Sequence, residues 1–77
     1  MPKLVVIKPK DLIMILEHLG FTVRDAQGSH VFYWHGDGRT TTVAVKSREI
    51  SRGLLRKILR DIELTPEEYE KLRTTIL

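Results

Sequence analysis

Three histidines and a row of basic side chains are the residues of this chain best suited to chemistry. An imidazole titrates near pH ~6.5, so it can accept or release a proton at neutrality. His18 falls in the last turn of a predicted helix, where the helix dipole favours a cation. His35 adjoins a predicted turn and reads as a solvated turn residue. His30 differs in context, because it follows Gly28-Ser29 and opens a strand, which gives the ring rigid support and an open approach. Positioned acid–base help of this kind contributes typically ~10²–10⁴ in rate. RNA carries its own nucleophile, the 2′-OH, and needs mainly such a group together with cations around the phosphate. The alternative reading of His30 is a sheet residue bonded to Ser29 or to a backbone carbonyl.

The cations are Lys46, Arg48, Arg52, Arg56, Lys57 and Arg60. Arg52, Arg56 and Arg60 recur at every fourth residue and line one helix face. The planar fork of arginine suits phosphate. Gly53 leaves the backbone N–H groups of that helix start accessible to an anion. Charge pattern alone equally fits a solvated face that keeps a small protein soluble. Asp25, His30, His35 and Asp37 match no standard metal-ligand spacing. Ser29 adjoins His30, so in a strand the two side chains diverge and no Ser-His-Asp triad is supported.

The elements that must hold these residues follow from hydrophobic period. Leu12, Ile15, Leu16 and Leu19 form one apolar stripe, predicting a helix over residues 9–19 that starts at Pro9 and is capped by Gly20. Phe21-Thr22-Val23-Arg24 alternates as a half-buried strand does, and Ala26-Gln27-Gly28-Ser29 is a turn by composition. Residues 30–35 and 40–45 are two further strands around the hairpin signal Gly36-Asp37-Gly38. Phe32, Tyr33 and Trp34 are consecutive and must point to both sheet faces, which leaves at least one able to stack on a base. Ile50, Leu54, Leu55, Ile58, Leu59 and Ile62 predict a second helix over residues 51–62, with Ser51 as N-cap. Thr65-Pro66-Glu67-Glu68 is a capping box that starts a short third helix, about residues 65–75, with Tyr69, Leu72 and Ile76 inward. The order αβββα(α) is α+β: a two-layer sandwich, a three-stranded antiparallel sheet with helices on one face.

Seventy-seven residues make a single domain, spanning 1–77, that buries only about 60–65% of its unfolded surface. With no cysteine, disulfides, thiolate metal sites and a Cys nucleophile are excluded. No apolar run approaches the roughly 20 residues of a membrane span, and Leu4-Val5-Val6-Ile7 is too short for a secretory segment, so a cytoplasmic protein is expected. Residues 1–60 carry 11 Lys and Arg against 5 Asp and Glu, whereas residues 61–77 carry 2 against 5. A polyanion would therefore meet the first part of the chain.

Several segments together resemble the HicA mRNA-interferase toxins, including the YcfA-like proteins. They are Leu19-Gly20-Phe21, Gly28-Ser29-His30, residues 35–39 (His-Gly-Asp-Gly-Arg) and residues 42–45 (Thr-Val-Ala-Val). The run from Arg52 to Asp61 and Leu64-Thr65-Pro66-Glu67-Glu68 complete the set. The resemblance implies a fold like a double-stranded-RNA-binding domain and a catalytic His in the Gly-Ser-His motif, His30 here. It implies mRNA as substrate, a HicB-like antitoxin that covers the site, and no metal or organic cofactor. Family members often carry Pro where Ala44 stands and His where Lys46 stands. Ile62-Glu63 takes the place of a small Ala-Gly-like pair before the third helix.

The leading expectation is thus an endoribonuclease toxin, with His30 as general acid or base and Ser29, Lys46, Arg48, Arg52, Arg56, Lys57 and Arg60 on the RNA. Its rivals are a non-catalytic RNA-binding module that uses the same basic face, and an interaction subunit whose open sheet face serves only a protein partner.

Overall fold

A computed structural model describes residues 4–77; Met1, Pro2 and Lys3, which precede the short apolar run, lie outside the described residues. The elements are α1 (Pro9–His18), β1 (Thr22–Gln27), β2 (His30–Trp34), β3 (Thr40–Ala44), α2 (Arg52–Asp61) and α3 (Pro66–Ile76). The strands form one antiparallel sheet in the order β1-β2-β3. The helices pack on one face of it, which is the predicted α+β arrangement. Among the described residues no helix is long and apolar enough to cross a membrane.

Local chemistry sets the helix ends. Pro9 begins α1, and Gly20 ends it in the left-handed region at φ 95°. There the N–H of Gly20 donates to the carbonyl of Glu17 and that of Phe21 to Leu16, a Schellman motif. Ser51 caps α2 by accepting from the Leu54 N–H. Thr65 and Glu68 form both halves of the capping box on α3.

Leu12, Ile15 and Leu16 of α1, Leu55, Ile58 and Leu59 of α2, and Tyr69 of α3 meet Tyr33 and Val43 of the sheet in one core. Full burial of a Leu or Ile side chain is worth about 1.5–3 kcal/mol. Leu54, expected in the α2 stripe, is instead 37% exposed. The segment before α1 is tied down at three points. The Ile50 N–H donates to the carbonyl of Ile7, the Tyr69 hydroxyl to Val5, and Nε of Arg52 to Leu4.

The sheet corrects the sequence reading in two places. First, β1 is not a half-buried strand over 21–24. It begins at Thr22, continues through Gln27 and is exposed along its whole length, because no helix covers this edge. Phe21, the residue that made the segment look amphipathic, belongs to the helix cap. Second, the turn shrinks to Gly28-Ser29, with Gly28 at φ 61°, the positive φ that the first position of a two-residue II′ hairpin needs.

Candidate functional site

Register decides which side chains share a face. In β2, Tyr33 is buried and Val31 packs on the core, so both face the helices. Burial pushes the Tyr33 phenol up, and the nearby charge of Glu17 in α1 adds to the effect. By strand alternation His30, Phe32 and Trp34 stand on the opposite, open face. Their partners across β3 are Ala44, Thr42 and Thr40. Across β1 they are Gln27, Asp25 and Thr22.

His30 is the first residue of β2 and is exposed. Ser29 beside it is half-buried in the turn, and its carbonyl accepts from the Val45 N–H at 2.9 Å. That bond holds the end of β3 against the His30 turn. Lys46 follows directly, inside a turn closed by Ser47 N–H to the Ala44 carbonyl at 3.2 Å. Lys46 and Arg48 are therefore exposed at the His30 end of the sheet. Arg48 lines a cleft of about 200 Å³ with Lys8, Pro9, Lys10, Val45 and Ser47. Lys8 and Lys10 bring two cations to this end that sequence reasoning missed. The available signal was Pro9, which marks a helix start and hence places the flanking lysines at one end of the helix layer.

The row on α2 belongs to the helix layer. Arg56 and Arg60 border a cleft of about 260 Å³ with Leu4, Leu59, Leu64 and Pro66, in the helix layer. Nε of Arg52 donates to the Leu4 carbonyl at 3.0 Å. Lys57 pairs with Asp61 at 3.0 Å, and Asp61 also accepts from the Thr41 hydroxyl. The helix climbs about 1.5 Å per residue from the His30 end toward Thr41, so Arg60 sits roughly 12 Å along the axis from Arg52. Arg52, Arg56 and Arg60 thus do not encircle His30, which looks out from the other layer.

His35 is not a solvated turn residue. Its ring stands edge-on to Phe21 at 5.2 Å between centroids, and its Nδ1 accepts from the Asp37 N–H. The Arg39 guanidinium lies over the Phe21 ring at 5.1 Å, grips the Asp37 carboxylate at 2.8 Å and donates to the Ile62 carbonyl. The Leu19-Gly20-Phe21 and His35–Arg39 motifs are therefore two halves of one structural knot, at the sheet end away from His30. His18 is exposed at the end of α1. Among the described residues no group of three or more His, Cys, Asp or Glu gathers as metal ligands would.

This arrangement offers an accessible imidazole at the mouth of a solvent-facing sheet, with cations at the same end. No curated protein matches the chain. The family model described as the HicA toxin of bacterial toxin-antitoxin matches residues 9–64, from the first residue of α1 to the residue before the α3 cap. Since that span is well over half of the 77 residues, the chain belongs to the HicA toxin family, whose members are paired with an antitoxin.

Proposed function

We propose that this toxin is an endoribonuclease that acts on mRNA in the cytoplasm, with His30 as the group that moves the proton. The observation that carries the reading is the exposed His30 ring at the start of β2, at the sheet end where Lys46, Arg48, Lys8 and Lys10 gather.

The chemistry requires little more. The RNA 2′-OH attacks the adjacent phosphorus, and the bond to the leaving oxygen breaks. His30 serves this step either by taking the 2′-OH proton or by protonating the leaving oxygen. Cations near the phosphate stabilise the charge that accumulates on its oxygens. Because the nucleophile belongs to the substrate, neither a metal-bound water nor an organic cofactor is required. A HicB-like antitoxin would silence the enzyme by covering the His30 end.

Purified protein and its His30→Ala variant, incubated with a long unstructured RNA, test the proposal. Cleavage by the parent and at least a hundredfold slower cleavage by the variant are expected. Equal rates would falsify it.

A further inference from the structure

We infer that the open face of the sheet is a binding track for single-stranded RNA, on which Phe32 and Trp34 receive bases next to the one at His30. This rests on the ribonuclease reading and assigns its substrate form.

His30, Phe32 and Trp34 occupy alternate positions of one strand, so their side chains leave the same face about 6.8 Å apart. An unstacked ribose–phosphate chain can match that stride, and aromatic rings in a row hold successive bases of a single strand. Phe32 is half-buried and Trp34 is 39% exposed, on a face that no helix covers. A groove of about 330 Å³ runs beside Phe32, bordered by Arg24, Asp25, Gln27, Thr40 and Thr42. The amide, hydroxyl and carboxylate groups of that rim are donors and acceptors suited to base edges.

A β-bulge supports the same assignment. Val23 pairs with Tyr33 and Asp25 with Phe32, which leaves Arg24 as the extra residue. Bulges re-aim side chains, and this one lays the Arg24 guanidinium over the Trp34 ring at 5.2 Å. Arginine planes stack on bases and attract phosphate, so Arg24 supplies a cation at the far end of the track. Lys46 and Arg48 supply cations at the near end. A duplex would keep its bases paired and turned inward, away from these rings.

Trp34 is the sole tryptophan of the chain, so its emission reports on the track directly. The test uses full-length His30→Ala protein, a 12-residue single-stranded RNA (a length of order ten covers one such module) and the same sequence as a duplex. Binding is followed in parallel by anisotropy of a labelled RNA. Single-stranded RNA is expected to bind and quench Trp34, and Phe32→Leu is expected to weaken that binding about tenfold. Binding that leaves Trp34 emission unchanged, or equal quenching by the duplex, overturns the track while sparing the nuclease reading. Absence of binding to either RNA, with a parent that does not cleave, removes both.

Discussion

Gly20 and His35 are fitted to each other across two turns. A Cβ on Gly20 would stand 3.1 Å from Nε2 of His35, and Gly20 already holds a φ of +95°. A left-handed backbone costs a residue with a side chain roughly 1–2 kcal/mol. The His35 ring would also have to retreat while edge-on to Phe21. Gly20→Ala is therefore expected to destabilise the fold by about 2 kcal/mol, seen as a lower denaturant midpoint at unchanged slope. A variant with the parental midpoint contradicts this packing.

The two histidines near the sheet should separate cleanly in their effects. His35→Ala removes a packed ring and an acceptor for the Asp37 N–H, so a loss of roughly 1–3 kcal/mol in stability is expected, with the cleavage rate per folded molecule unchanged. His30→Ala removes an exposed ring and should leave the melting temperature within a degree or two while abolishing cleavage. Thermal melts and RNA cleavage on the same preparations read both quantities. A reversal of the two phenotypes refutes the assignment of His30.

The helices were legible because their ends are written in local chemistry: Gly20, Ser51 and the Thr65–Glu68 box each act within a few residues. β1 was less so. An uncovered edge strand needs no apolar face, so Thr22–Gln27 shows no useful alternation. The split between Tyr33 and its neighbours Phe32 and Trp34 was invisible because Val31 to Trp34 are all apolar or aromatic, and only pairing with β3 fixes the phase. The spacing of Arg52, Arg56 and Arg60 revealed a common helix face but not the layer it would occupy relative to His30. Lys8 and Lys10 escaped notice because the segment they meet, Val45 to Arg48, has no periodic signature.

Acid should weaken the knot around Arg39. The Arg39 backbone N–H, and then its guanidinium, hold the Asp37 carboxyl below the usual carboxylate range. The folded chain therefore binds fewer protons at this group than the unfolded chain does. The stabilisation is fully present above pH about 4 and is lost as the pH falls through and below that value. Glu68, bonded to the Thr65 N–H, and Glu70, bonded to Arg73, are displaced in the same direction. Asp37→Asn is expected to flatten part of the fall in melting temperature between pH ~4 and ~2.5. An acid limb identical to that of the parent would show that Asp37 does not contribute.

Glu63 is the one described residue other than glycine with positive φ, at 56°. It closes α2, with its N–H donating to the Arg60 carbonyl and that of Leu64 to Leu59, the geometry that favours glycine. Glu63→Gly relieves the backbone but also loosens the unfolded chain. A net gain of about 0.5–1 kcal/mol is expected, measured by denaturant unfolding. Destabilisation by the substitution would mean that the Glu63 side chain makes a contribution larger than its backbone strain.

The two groups of cations should differ in what their removal changes. Lys46 and Arg48 stand at the His30 end of the sheet, whereas Arg56 and Arg60 flank a cleft in the helix layer. A cation that contacts a single-strand phosphate in the productive complex releases about 0.7 of a counterion. Lys46→Gln or Arg48→Gln should therefore raise KM and make its salt dependence shallower by roughly that slope, because fewer ions are displaced when RNA docks. Arg56→Gln combined with Arg60→Gln should leave the cleavage rate and its salt slope within about twofold of the parent, since these side chains belong to the helix layer and His30 to the open face of the sheet. Cleavage kinetics over a salt series distinguish the two outcomes. If the double α2 variant loses as much slope as the Lys46 and Arg48 variants, the RNA wraps onto the helix layer and the open sheet face is not its main path.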